Sequence, residues 1–270
     1  MDNRIKNAVI DFVTKQLNIE LKTLEFLPNG VTNFNYLLNN TTVIKAKDEK
    51  LNFFHSSSNE IETSQLLFKL DITPKHSFYD GFVVVDYLGG VKFLNYDNYL
   101  AYMDQLVTII KTFHQLAPKN FSDFDMFSRL ETYRDTCKSE AHLPHEKGVI
   151  TTAKYYFNKA QKVPCHNDLV NGNILIKDNR LFLIDFEYSG LNDPDFDVVS
   201  FLSENDFVND EVRQAFLSRY YGEDIPKAKL EAYTQFANLL WYYWALFAYK
   251  QTKRAIFKKI ALHKRRQYLA

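Results

Sequence analysis

Hydrophobic and polar positions follow two different periods along the chain, and the change between them divides it into two parts. In the first 90 residues, apolar side chains form short strand-like runs and recur at helical spacing in two places, which indicates a small α+β unit. The predicted elements are a helix over 4–17, strands over 21–27, 34–38 and 41–46, a helix over 59–70, and a buried strand over 82–88.

Helical spacing dominates after Gly89-Gly90. Helices are predicted over 95–116, 126–141, 149–162, 194–204, 209–221 and 226–266, with a strand-rich insert over 163–188. The change of pattern near residues 88–90 predicts two domains, 1–88 and 89–270, and the overall fold class is α+β.

The strand-rich insert places acidic and amide residues beside apolar runs. Two runs, ILI (174–176) and LFLI (181–184), predict a hairpin that brings Asn173 close to Asp185. Their side-chain oxygens suit Mg²⁺, which leaves Asp168 to accept a hydrogen bond from a hydroxyl nucleophile, as phosphoryl transfer needs. The alternative is that these residues only form turns and caps, where Asp and Asn are common.

Composition narrows the classes of partner. Lys and Arg together number 33, as do Asp and Glu, so no overall charge favours nucleic acid or a membrane. The two cysteines suit a reducing compartment, and no apolar run approaches the ~18 residues that a membrane span needs. The expectation is a cytoplasmic protein with a small-molecule partner.

The pattern H-x-D-x-x-x-x-N, read from His166 to Asn173 and followed by I-D at Asp185, resembles kinase-like phosphotransferases. The resemblance is strongest to the bacterial branch of the choline/ethanolamine kinases, beside the aminoglycoside phosphotransferases, and covers most of the chain. It implies a two-lobed protein-kinase-like fold, with ATP and Mg²⁺ as cofactors. Asp168 would be the catalytic base, and Asn173 and Asp185 would be the metal ligands.

The resemblance also assigns nucleotide contacts to the first part of the chain. The stretch GVTNFN (30–35) resembles a loop over the phosphates, and Lys45 resembles the phosphate-binding lysine, where close relatives often carry arginine. An acid of the helix over 59–70 would pair with Lys45: Glu62 is expected, with Glu60 as the competing candidate. The predicted ATP-binding residues are Gly30, Thr32, Asn33, Lys45, Glu62, Asp86 and Leu88.

Three residues are the candidates for holding the acceptor. Glu204 matches an acid that faces the substrate cation in choline kinases, and Trp241 and Trp244 lie on one face of a helix. Aromatic faces beside a carboxylate suit a quaternary ammonium, so choline is the expected substrate. Aromatics at this spacing are equally typical of a hydrophobic core. Ethanolamine, an aminoglycoside and thiamine are the other candidate acceptors.

The segment Lys250–Arg266 is basic, with eight Lys and Arg residues and no acid. Its apolar positions predict a helix with one buried side, which packs on the second domain or touches anionic lipid or another protein. The apolar positions expected to form that side are Ala255, Ile256, Ile260 and Leu262.

Overall fold

A five-stranded antiparallel sheet dominates the first part of the chain. The computed structural model describes residues 3–28, 30–51, 56–137 and 141–270. The strands are β1 (Leu24–Leu27), β2 (Phe34–Leu38), β3 (Thr42–Ala46), β4 (His76–Tyr79) and β5 (Phe82–Asp86). They lie in the order β1-β2-β3-β5-β4, so β3 is the central strand. This position holds Lys45, near the end of β3, between two neighbouring strands.

One face of the sheet is covered by the N-terminal helix α1 (Asn3–Asp11), which continues as a π-helical turn over Phe12–Gln16. Val9 and Phe12 are buried against the sheet. The ring of Phe12 stacks on that of Phe82, with centroids 4.2 Å apart. These apolar contacts leave the opposite face of the sheet available for the second helix of this part.

Helix α2 (Ser57–Lys69) carries buried polar side chains that join it to distant loops. The Asn59 amide donates to the carbonyls of Ser122 (3.1 Å) and Ser189 (2.9 Å), and accepts from the Ser122 N–H (3.0 Å). The Thr63 hydroxyl donates to that of Ser189 at 3.1 Å. These bonds fix α2 to the part of the chain beyond residue 90.

The remainder of the chain is mainly helical, which confirms the predicted α+β class. Its helices are α3 (Tyr99–His114), α4 (Met126–Asp135), α5 (Glu146–Phe157), α6 (Pro194–Glu204), α7 (Asp210–Tyr221), α8 (Lys227–Thr252) and α9 (Ala255–Leu269). Its short strands are β6 (Lys92–Phe93), β7 (Val163–Cys165), β8 (Ile174–Lys177), β9 (Arg180–Leu183) and β10 (Gly190–Asn192). Within the described ranges, no helix combines the length and apolarity that crossing a membrane requires.

The helix predicted over 226–266 is wrong as a single element, because the structure divides it into α8 and α9. Lys253 ends α8 in the left-handed conformation, with φ of 59°, and its N–H donates to the Tyr249 carbonyl at 2.8 Å. The chain reverses there, so α9 packs back along α8 instead of extending it. The reversal buries Lys264 of the basic segment, while most of its other Lys and Arg side chains stay exposed.

The structure also differs from the prediction at β4 and at α4. Strand β4 was not predicted, because the turn residues before it resemble a loop; it pairs with β5 at the edge of the sheet. The helix predicted over 126–141 ends at Asp135, and residues 138–140 lie outside the described residues. The boundary near residues 88–90 falls between β5 and β6 and stays a prediction.

Candidate active site

The loop after β7 carries Asp168, and buried hydrogen bonds fix it. The Asp197 carboxylate, in the first turn of α6, accepts the backbone N–H groups of His166 (2.9 Å) and Asn167 (2.6 Å). Asn167 adopts the left-handed conformation, with φ of 65°. The Leu169 N–H donates to the Ser200 hydroxyl at 2.8 Å. Held on both sides, the loop presents Asp168 to a cleft of about 820 Å³.

Asn173 and Asp185 meet through the hairpin of β8 and β9. Ile174 pairs with Leu183, and the Ile184 N–H donates to the Asn173 carbonyl at 3.1 Å. The Asn173 amide group donates to the carbonyl of Asp168 (2.9 Å) and to its carboxylate (3.0 Å). Because its NH₂ group faces Asp168, the amide oxygen of Asn173 is turned away from Asp168. The hairpin and these bonds bring Asp168, Asn173 and Asp185 close together.

Lys45 joins the sheet to this hairpin. Its ammonium lies 2.7 Å from an oxygen of the Asp185 carboxylate. Burial alone would lower the pKa of Lys45, but the carboxylates of Asp185, Glu60 and Glu187 outweigh burial and raise this pKa above its usual value. Lys45 is therefore a permanent cation at the centre of an acidic site.

The expected pairing of Glu62 with Lys45 is wrong. The Glu62 carboxylate accepts the backbone N–H groups of Lys119 and Asn120, the latter at 3.2 Å. Residues two apart on a helix point to different sides, and the other side of α2 carries Glu60. Glu60 is buried, accepts a hydrogen bond from Lys47 at 2.9 Å, and acts electrostatically on Lys45. The acid near Lys45 is thus the competing candidate.

Glu187 is a residue of the site that sequence reasoning missed. It lies two positions after Asp185, and the Asn33 amide donates to its carboxylate at 2.9 Å. Burial and the charge of Asp185 raise the pKa of Glu187 to about 8, against the opposite effects of Lys45 and Thr32. The stretch Asp-Phe-Glu shows a second acid close to Asp185, but Asp185 adopts the left-handed conformation, with φ of 68°, so strand alternation alone could not place Glu187 in the site.

The acidic groups of the site act electrostatically on one another. Burial raises the pKa of Asp168 well above its usual range, and the carboxylates of Asp185, Glu187 and Glu204 raise it further. A hydrogen bond from Asn173 acts in the opposite direction. Carboxylate and amide oxygens grouped in this way are the donor set that Mg²⁺ prefers. The residues present therefore fit a divalent cation, which would be held by Asn173 and Asp185.

The loop over 30–35 folds over the entrance of the cleft. A Cβ atom added to Gly30 would lie 2.5 Å from the side-chain nitrogen of Asn35, so the turn accepts only glycine without rearrangement. Thr32 and Asn33 are buried beside it. The guanidinium of Arg254, at the start of α9, donates to the Val31 carbonyl at 2.7 Å. A residue of the basic segment thus holds the tip of this loop.

A second cavity, of about 180 Å³, lies beside Lys45 and Asp185. Val43, Val85 and Leu175 give it apolar walls, and Asp86 and Leu88 lie at its edge. The N–H of Asp86 is already bonded to the Lys75 carbonyl. The apolar lining suits a flat ring held between aliphatic side chains.

The acceptor candidates line the large cleft together with Asp168. Trp241 and Trp244 are mostly buried, with exposed fractions of 7% and 9%, yet both reach the cleft. Their rings meet edge to face, with centroids 5.9 Å apart, and Trp241 meets Tyr188 in the same way at 5.5 Å. Both tryptophans therefore belong to the core and to the wall of the cleft. Glu204 lies on the same wall and forms a 2.5 Å ion pair with Lys264.

The buried side of α9 differs from the predicted one. The expected apolar side is wrong at Ala255, Ile256 and Leu262, which are exposed, whereas Ile260 is half-buried and packs against the core. The buried face instead carries Phe257, Ala261, Lys264 and Tyr268. The spacing of three and four residues between them is typical of one face of a helix. The sequence did not indicate that this face is buried, because lysine is rarely a buried residue.

Comparison with known proteins agrees with this geometry. The model of the phosphotransferase enzyme family (APH) matches residues 23–232. Protein LicA of Haemophilus influenzae is 39% identical over 90 residues, which are 30% of this chain and 33% of that protein, so the chain spans about a third of this relative.

Two solved structures show the fold. The choline kinase LicA from Streptococcus pneumoniae has a TM-score of 0.80 at 21% identity, over 98% of this chain and 99% of the other. A LicA structure in complex with AMP has a TM-score of 0.78 at 20% identity, over 97% of both chains. These likenesses confirm the predicted two-lobed kinase-like fold. With its matched region covering most of the sequence, the chain belongs to the phosphotransferase enzyme family.

Proposed function

We propose that this protein transfers the γ-phosphoryl group of ATP to the hydroxyl of choline. The relatives named for choline kinase activity and the AMP complex of one of them support the choice of substrates. The observation that carries the proposal is the composition of one cleft: Asp168 shares it with Trp241 and Trp244.

The proposed roles of the polar residues follow from their positions. Asp168 orients the choline hydroxyl and takes its proton late in the reaction, as suits a loose transition state. Mg²⁺ bound by Asn173 and Asp185 would neutralise charge on the transferring phosphoryl group. Lys45, which forms an ion pair with Asp185, would contact the phosphates of ATP.

The nucleotide is proposed to lie between the two lobes. The adenine would fill the apolar cavity beside Leu88, whose backbone would bind the ring edge. Thr32 and Asn33, beneath the tip held by Arg254, would cover the phosphates with their backbone N–H groups. ATP use and the two free cysteines favour the cytoplasm as the site of action.

The acceptor is proposed to bind with its ammonium against Trp241 and Trp244. Their electron-rich faces suit a quaternary ammonium, which has no N–H group to donate. Arg254 is bonded to Val31 and Lys264 is buried, which supports a role in this site for these two residues of the basic segment.

The first test is ATP consumption by the purified protein with Mg²⁺ and choline, ethanolamine, thiamine or kanamycin, with products identified by mass. Choline should be turned over far better than the others. Asp168→Asn should lower kcat by about 10²–10⁴-fold while ATP binding, followed by calorimetry, is retained. Turnover of another acceptor would overturn the choice of choline. Full activity in Asp168→Asn would overturn the role of Asp168.

A further inference from the structure

Lys264 is an unusual lysine because its side chain is almost completely buried, with 4% exposed. Its ammonium lies 2.5 Å from the Glu204 carboxylate and 2.9 Å from the Gln267 side-chain oxygen. Lysine is seldom buried unless it is paired, because removing its charge from water is costly. Both residues line the large cleft, as Trp244 does.

The pair places a cation of the protein where the substrate cation is expected. Glu204 lines the same cleft as the tryptophans and is the acid that the sequence resemblance assigns to the substrate ammonium. It also acts electrostatically on Asp168, which raises the pKa of that carboxyl, so both acids belong to one connected site. Lys264 therefore forms an ion pair with the carboxylate that an ammonium substrate would need, Glu204.

We propose that Lys264 is a specificity-determining residue: it occupies Glu204 in the free protein, and the substrate ammonium displaces it. This inference rests on the proposed function. The lysine stem is flexible, and its ammonium can swing toward solvent when another cation takes its place. Glu204 then keeps a partner throughout, so substrate binding exchanges one ion pair for another and no bare carboxylate is buried.

Displacement makes the cleft selective for cationic alcohols. A neutral alcohol cannot replace the ammonium of Lys264 at Glu204, so it must bind with the ion pair still in the cleft. The positive charge of a cationic alcohol competes with the ammonium of Lys264 for the Glu204 carboxylate. The same competition lowers the apparent affinity for choline, because a like charge must first leave.

The test compares Lys264→Met with Arg266→Met, which removes the same charge from an exposed position on α9. Lys264→Met should lower KM for choline by about tenfold, since a competing like charge is removed, with kcat and KM for ATP within about twofold. Arg266→Met should leave KM for choline unchanged. An unchanged or higher KM for choline in a folded Lys264→Met protein would overturn the inference.

A measurement on the unaltered protein avoids any effect of substitution on folding. An amine-reactive ester should label Lys264 slowly in the free protein and at least several-fold faster with saturating choline, with labelled sites identified by mass. Exposed Lys258 should react equally in both conditions. Continued protection of Lys264 would overturn displacement. The labelling experiment requires only that choline binds, so it tests the displacement of Lys264. Choline turnover is measured separately and tests the proposed function.

Discussion

Replacing Trp244 tests whether its indole binds a cation or only fills space. The side chain is 9% exposed and forms part of the cleft wall. It also packs edge to face on Phe257, with ring centroids 5.5 Å apart. A change here therefore affects both stability and substrate binding, and the two effects must be separated.

The structure sets the expected magnitudes. Trp244→Leu leaves a partial cavity and should lower the free energy of unfolding by about 2 kcal/mol, below the range for truncation to alanine. A desolvated cation–π contact is worth about 2 kcal/mol, so its loss should raise KM for choline about 30-fold. Trp244→Phe keeps a weaker aromatic face and should raise KM about fivefold.

The assay compares choline with 3,3-dimethylbutan-1-ol, which has the same shape without the charge. Trp244→Leu should raise KM for choline much more than KM for the neutral alcohol. Phe236→Leu is the matched control: Phe236 is fully buried on the same helix and packs on Phe127, with centroids 4.9 Å apart. It should lower stability and leave both KM values unchanged. Equal increases for both alcohols in Trp244→Leu would refute the cation–π argument and leave Trp244 as a packing residue.

Two further predictions concern the first part of the chain. Arg254→Met removes the 2.7 Å hydrogen bond to the Val31 carbonyl and should raise KM for ATP at least about fivefold, with KM for the acceptor unchanged. Lys258→Met is the control. An unchanged KM for ATP in Arg254→Met would contradict this role of Arg254. Burial, and then the charge of Lys45, lower the pKa of His76 to about 4, below its value of about 6.5 in an unfolded chain. The unfolded state therefore binds more protons between these values, and stability should fall by about 2 kcal/mol in total as the pH drops from 6.5 to 4, allowing for partial exposure. Urea unfolding across this range should show a shallower pH dependence in His76→Phe, and an identical dependence would contradict the assignment.

The sequence predicted those parts of the fold that local patterns determine. Short apolar runs located β2 and the hairpin of β8 and β9, and the hairpin alone implied that Asn173 and Asp185 meet. Strand β4 was not predicted because it is stabilised by its pairing with β5, and the residues of β4 alone do not indicate that pairing.

The parts of the site that could not be predicted depend on how elements meet. Glu60 and Glu62 point to different sides of α2. Choosing between them requires knowing which side of the helix faces Lys45, and that depends on tertiary packing. The break at Lys253 carries neither glycine nor proline, so nothing local marked the reversal that brings Lys264 to Glu204.

The buried hydrogen bonds of α2 bear on how such an enzyme can be regulated. Protein kinases control activity by positioning the helix whose acid pairs with the phosphate-binding lysine. Here the bonds of Asn59 and Thr63 to Ser122 and Ser189 would all break if α2 swung outward. At about 1 kcal/mol each, their loss would hold the swung-out state to roughly one molecule in a thousand. We therefore expect a permanently assembled enzyme, whose output follows the supply of its substrates and the amount of protein made.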